Sequence, residues 1–244
     1  MDNNKHKLPI SVGILTWKAY ETLKATLESY KKNGLFDVVE EVILFSQEST
    51  EEDSNIADEF GITKHIQSPA NVGIGQGFSD ITKYAQNDIV LLLENDWVLV
   101  EPEEVSKKRL SDGINILQQG IADVVKYRSR NFPGDPLYTR QFIGNELLSV
   151  KHLLDCVHWR EHPDKDFPGL ISYEKEFGVY LAKACNANQT NNPCMFLKSF
   201  YMENITPFAG TGDQLEVKID RWWQQQDFVI AHGEGLFTHN RIDR

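Results

Sequence analysis

In the stretch LLLENDW, Leu91 to Trp97, three leucines run straight into Glu94, Asn95 and Asp96. A strand that apolar belongs in the middle of a sheet, and acids at its exit need a cation or a polar substrate to meet them. Two carboxylates with one residue between them can share a hard divalent ion such as Mg²⁺ or Mn²⁺, which takes oxygen ligands and leaves positions open for phosphate. In an open parallel sheet, ligands sit beyond the carboxyl ends of the strands. Those ends offer Thr16-Trp17, Ser46-Gln47-Glu48 and Glu94-Asn95-Asp96, which predicts one shared crevice.

Strands and helices alternate along the chain in a way that supports such a sheet. Ile10 to Thr16 reads as a buried strand, and a helix follows from about Ala19 to Lys32 with Tyr20, Leu23, Leu27 and Tyr30 on one face. Further strands are expected at Val42 to Ser46, His65 to Gln67, Asp88 to Leu93, Asp123 to Tyr127 and Cys194 to Leu197. Helices are expected at Asn55 to Phe60, Gly77 to Tyr84, Ser106 to Gln119, Tyr173 to Ala184 and Asp213 to Gln225, with an irregular region between Ser129 and Pro168. The alternation implies an α/β fold with right-handed crossovers and a mostly parallel sheet. GIGQG, within Asn71 to Gly77, lacks the context of a dinucleotide fingerprint and reads as a turn approaching the substrate. Trp222 and Trp223 cannot both face a core from one helix; one packs, and the other is free to form an apolar platform. Arg128 and Arg130 are candidates to clamp phosphate, with plain solvation as the simpler alternative.

The chain has 244 residues and is 41% hydrophobic, enough for one large core. Residues 36–104 carry sixteen acids against two lysines, and the whole chain has a net charge of −11. Such a surface repels a polyanion, which argues against nucleic-acid binding. An acidic crevice binds an anionic diphosphate only if a metal inverts the local field. Cys156, Cys185 and Cys194 cannot all pair within the chain, and no apolar run reaches the length of a membrane span. The expectation is therefore a soluble, cytoplasmic protein with free thiols.

The order ISVGILTW, VILFSQES, Asn71-Val72-Gly73 and Glu94-Asn95-Asp96 resembles a glycosyltransferase of the GT-A fold, most closely family 2. The resemblance spans residues 10 to about 100 and returns at 194 to 241; it implies a single GT-A-like domain over 1–244. Residues up to about 104 would form the nucleotide-sugar half and the remainder the acceptor half. Carried over residue by residue, Thr16, Trp17, Asn71 and Gly73 would border the nucleotide sugar, and Glu48 would contact the base. Asp96 would hold the metal, with Asn95 as the variable middle residue and Glu94 reaching ribose or water. The segment GTGDQLEVKIDRWW resembles the place where an acid acts as base, which makes Asp213 the match and Glu216 its competitor. Trp222 and Trp223 would face the acceptor, and His239 in GLFTHNR would join the metal or the diphosphate.

What the resemblance implies is an inverting transfer. A sugar would move from a nucleoside diphosphate sugar to a hydroxyl acceptor, a glycan for example, with Mn²⁺ or Mg²⁺ as cofactor. Two alternatives stay open. A sugar-nucleotide nucleotidyltransferase would carry a Gly-rich basic loop after its first strand, unlike GILTWKAY. A non-catalytic carbohydrate-binding domain would leave the acidic strand exit idle.

Overall fold

A computed structural model describes residues 7–135, 150–210, 212 and 214–243. The described residues form an α/β fold around one mixed sheet. Its elements run β1 (Leu8–Thr16), α1 (Tyr20–Lys32), α2 (Leu35–Val38), β2 (Val39–Ser46), α3 (Glu51–Glu59), β3 (Lys64–Gln67), α4 (Ile74–Tyr84) and β4 (Ile89–Glu94). They continue with β5 (Trp97–Leu99), α5 (Glu103–Gln118), β6 (Val124–Arg128), a 3₁₀ helix at Val150–His158 and α6 (Pro163–Asp166). The last part holds β7 (Ile171–Glu174), β8 (Val179–Lys183), β9 (Cys194–Leu197), α7 (Lys198–Asn204), α8 (Leu215–Trp223) and β10 (Val229–His239). The strand order is β3-β2-β1-β4-β9-β6-β10-β8-β7, with β5 paired to β10 off this path.

Each element follows from its side chains. In β1 the last seven residues are all buried, as an interior strand between parallel neighbours β2 and β4 requires. Helix α1 buries Leu23, Leu27 and Tyr30 against the sheet, each contributing about 1.5–3 kcal/mol through the apolar surface removed from water. Helix α3 opens with a capping box, in which Thr50 and Asp53 exchange side-chain bonds with each other's backbone N–H groups.

Two local expectations need correction. The segment Tyr173 to Ala184 is an antiparallel hairpin, β7 with β8, and not a helix. Gly178 takes the left-handed φ of 67° that turns the chain there, and Tyr180 to Lys183 then pair along β10. Two glycines of GIGQG, Gly75 and Gly77, serve helix packing rather than substrate approach, while Gly73 lines the cleft. A Cβ on Gly77 would meet Leu15 Cδ1 of β1 at 2.6 Å, and one on Gly75 would meet Leu215 Cβ at 3.2 Å.

Behind the sheet's second half lies a buried polar cluster. Lys126 faces Asp155 at 3.6 Å, and the rings of His158 and His232 meet edge to face at 4.9 Å. His232 Nε2 bonds the Arg128 carbonyl at 2.9 Å. Burial holds both imidazoles in the neutral form: the His158 pKa is lowered to about 4, and that of His232 lies well below its ordinary value. Burial works against ionised Asp155, yet the charge of Lys126 beside it brings its carboxyl below the usual range. Arg128 and Arg130 are neither solvated nor phosphate clamps. They donate to the carbonyls of Pro133 and Gly134, and of Val157, Arg160 and Glu161, respectively.

A depressed histidine pKa makes stability fall in acid, because below about 6.5 the unfolded chain takes up protons that the folded chain refuses. The urea midpoint of the parent should therefore drop between about pH 6.5 and 4 more steeply than that of His158→Gln. The difference should be on the order of 2 kcal/mol. Parallel slopes in urea titrations across that window would remove His158 from the buried cluster.

Candidate functional site

The register of three parallel strands brings their exits level. Thr16 lies opposite Ser46 across β1 and β2, and Leu15 opposite Glu94 across β1 and β4. Beyond these ends opens a cleft of about 640 Å³. Thr16, Trp17, Asn71, Gly73, Glu94, Asn95 and Glu216 line it, so seven of the residues singled out from sequence share one wall system. Gln47, Asn191, Gln214 and Arg241 line it too and had not been singled out as site residues. For Arg241 a signal existed in the segment GLFTHNR; for Asn191, on the irregular approach to β9, there was none.

Asn95 ties the strand exits together. Its amide nitrogen donates to Thr16 Oγ1 at 3.1 Å and to the Ala19 carbonyl at 3.5 Å, and the residue is nearly buried. On the other side of the cleft the backbone N–H of Gly212 donates to the Val72 carbonyl at 3.2 Å, linking the loop before α8 to the loop before α4.

Next to Asn95, the Asp96 carboxylate faces His239. Asp96 Oδ2 and His239 Nε2 are 3.1 Å apart, although 143 residues separate them in sequence. Strand β10 makes this possible by changing partners partway along. Its first residues pair with β6 and β8, and Phe237 to His239 pair with β5, where His239 stands opposite Trp97. Gly235 (φ 70°) sits at the break, where a Cβ would lie 2.1 Å from the Arg128 carbonyl oxygen. His239 Nδ1 bonds the Asp135 carbonyl, which can only accept, so that nitrogen carries the proton and Nε2 is the one aimed at Asp96. The bond to Asp96 raises the His239 pKa against the opposing effect of burial.

Acids crowd this end of the cleft. The Glu94 pKa is pushed up to about 8, first by desolvation and then by the charges of Asp96 and Glu216, with His239 and Arg241 opposing. Glu216 stands exposed on the first turn of α8, yet the cleft walls desolvate its carboxyl and push its pKa upward. Its Oε1 accepts the Asn191 N–H at 2.6 Å. Asp213 lies outside the described residues.

Three expectations are not met by the geometry. Glu48 is turned out of the cleft: its left-handed φ of 47° swings the carboxylate onto Lys18 and the Trp17 indole N–H, the latter at 3.1 Å. Gln47 takes the wall position instead. Trp223 is buried, with its indole N–H on the Ala187 carbonyl at 2.8 Å, and Trp222 packs on Phe208 and Phe228. Both tryptophans therefore stabilise the packing of α8 and neither faces the cleft, because both inward directions of that short helix are filled by aromatic neighbours.

A half-sheet of parallel strands, with acids and a distant histidine meeting at its carboxyl ends, is the GT-A type of α/β fold. The model of glycosyl transferase family 2 matches residues 11–162, and the chain belongs to that family. No curated protein sequence matches it. Among solved structures it is similar to S. aureus TarS 1-349 in complex with UDP-GlcNAc, at 13% identity and a TM-score of 0.61, over 97% of this chain and 60% of that one. It is also similar to the mannosyltransferase PcManGT from Pyrobaculum calidifontis in complex with GDP-Man and Mn²⁺, at 11% identity and TM-score 0.59, over 98% and 59% of the two chains. Glucosyl-3-phosphoglycerate synthase from Mycobacterium tuberculosis, in complex with Mn²⁺, UDP and phosphoglyceric acid, gives 16% identity and TM-score 0.56, over 96% and 71%. These likenesses show the fold. The chain spans about 60% of the length of the TarS fragment. Among the described residues no helix is long and apolar enough to cross a membrane.

The tie between Asn95 and Thr16 is open to a double-mutant cycle. Asn95→Ala and Thr16→Val should each destabilise the chain by about 1–2 kcal/mol, with a coupling of about 1 kcal/mol between them. Urea denaturation of the four species measures it, and strictly additive losses would show that the bond does not hold the two exits together.

Proposed function

We propose that the chain is a metal-dependent, inverting glycosyltransferase that moves a sugar from a nucleoside diphosphate sugar to a hydroxyl acceptor. The observation that carries this reading is the Asp96–His239 pair. Asp96 Oδ1 is buried without a hydrogen-bond partner while its other oxygen meets His239 Nε2. A buried orphan carboxylate oxygen is costly unless something binds it.

The donor set fits a hard divalent ion in part. Among the described residues no group of three His, Cys, Asp or Glu side chains converges as a cage. Asp96 and His239 would hold such an ion, and the raised Glu94 pKa marks an end of the cleft where desolvation and neighbouring acids outweigh the charges of His239 and Arg241. Mn²⁺ or Mg²⁺ held there supplies the charge that lets the nucleoside diphosphate leave. The Mn²⁺ complexes of PcManGT and of the mycobacterial synthase support this choice of cofactor. The nucleotides named in those complexes and in that of TarS support a nucleotide-sugar donor.

The chain's own residues supply the remainder. Thr16 and Asn95 hold the strand exits level under the donor, and Trp17 and the Asn71–Gly73 loop border it. Residues up to about 104, together with His239, then serve the donor, and the rest of the later half serves the acceptor. An acceptor hydroxyl needs a carboxylate base on the side opposite the leaving group. Asp213 keeps that role in this reading and Glu216 is its competitor, its carboxyl held more basic than usual by desolvation.

Calorimetry with UDP and GDP, with and without Mn²⁺, tests the reading, because a carbohydrate-binding domain would show no metal-dependent nucleotide binding. Asp96→Ala should abolish that binding with the fold intact, Glu94→Ala should lose less, and His239→Ala should weaken Mn²⁺ by about ten- to a hundredfold. Unchanged nucleotide affinity in Asp96→Ala would sink the metal assignment. For the base, Asp213→Asn should retain donor affinity while transfer falls by about 10²- to 10⁴-fold. If Glu216→Gln loses transfer and Asp213→Asn does not, the base lies one turn further along.

A further inference from the structure

Resting on the nucleotide-sugar reading above, we propose that Gln47, with Thr16 and Asn71, reads the base of the donor as a pyrimidine dione, uracil or thymine, in preference to guanine. The geometry begins with Gln47, which is 5% exposed yet lines the cleft. Its backbone N–H donates to the Thr16 carbonyl at 3.0 Å, which locks it to the exit of β1. Its side chain accepts the Val72 N–H at 2.9 Å. A backbone N–H can only donate, so the accepting atom is Oε1 and the amide nitrogen is left as the free arm.

The neighbours are fixed in the same sense. Asn71 Oδ1 accepts the Gly73 N–H at 2.9 Å, leaving its amide nitrogen to donate. Thr16 Oγ1 accepts from Asn95 at 3.1 Å, leaving its O–H to donate. Three neutral donors therefore stand together at the β1–β2 end of the cleft. Among the described residues the lining carboxylates are Glu94, which ends β4 two strands or roughly 10 Å from β2, and Glu216 on α8. Glu48, the nearest acid in sequence, is engaged by Lys18 and Trp17.

Uracil and thymine present two carbonyl oxygens flanking one N–H. The oxygens match the donors, and the second lone pair of Gln47 Oε1 can take the N–H. Guanine presents one carbonyl and two adjacent donor groups, so it would leave donors of the site without an oxygen and crowd two N–H groups onto the single free lone pair of Gln47 Oε1. A site built on hydrogen bonds rejects the ligand that leaves its polar groups unpaired. Trp17, 46% exposed on the cleft rim and pinned by its bond to Glu48, offers a ring face on which a flat base can stack.

The test is calorimetry of the whole chain with UDP, TDP and GDP in Mn²⁺. UDP and TDP should bind about tenfold or more tighter than GDP. Gln47→Glu still accepts the Val72 N–H but cannot donate, so it should shrink or invert that ratio, with a thermal melt confirming that it folds. GDP binding as tightly as UDP in the parent, which needs no variant, would overturn the inference while leaving the glycosyltransferase reading standing. An unchanged ratio in folded Gln47→Glu would also overturn it. Absence of metal-dependent binding for all three nucleotides would overturn both.

Discussion

Hydrogen bonding of β1 on both edges is the constraint from which the site follows. Parallel pairing to β2 and to β4 allows no slippage, because shifting either register by one residue would turn a buried row of side chains to the wrong face of the sheet. With the register set, the chain leaves three adjacent strands at one level, and whatever follows each strand is delivered to the same place. Thr16, Gln47 and Glu94 are neighbours for that reason, although 78 residues separate the first from the last. The Asn95 amide adds a lateral tie between two of these exits, and the glycines that seat α4 on β1 keep the loop at Asn71 close above them.

The electrostatics of the cleft have a direction. Its β4 end gathers Glu94, Asp96 and, across from them, Glu216, and the raised carboxyl pKa values there record desolvation first, with repulsion from Asp96 and Glu216 added at Glu94. Its β2 end is neutral and offers amide and hydroxyl groups. A ligand with a neutral flat end and a highly charged middle lies along such a gradient in one orientation only. The buried cluster of Lys126, Asp155, His158 and His232 lies among packed side chains behind the second half of the sheet, and the charges of Lys126 and Asp155 are felt by Glu216.

The first hundred residues were the most legible in sequence, because long apolar runs such as ISVGILT and DIVLLL have no comfortable place except an interior strand. Acids at the end of such a run were equally plain. Tyr173 to Ala184 misled because its apolar residues fall at helical spacing, and the turn at Gly178 depends on β10 being there to receive β8. Glu48 misled by a single residue: charge made it conspicuous, whereas the backbone angle that turns it outward leaves no mark in the letters. Trp222 and Trp223 looked like a platform because nothing in their own helix shows Phe208 and Phe228 waiting for them. Residues 136–149 and Asp213 lie outside what the structure describes, so the readings placed on them are unchanged.

Strand β10 is the last of the ten strands to be synthesised, yet it sits inside the sheet, between β6 and β8, and its far end covers β5. Until it arrives, β5, β6 and β8 each lack a partner along one edge, and the acid at position 96 has no histidine before it. A chain made only up to that point has a nucleotide half able to collapse but a centre still missing a stave, and insertion of that stave joins residues more than a hundred positions apart. Assembly of the sheet and completion of the site are thus one event in time, so a chain that stalls or is clipped before β10 is left with neither.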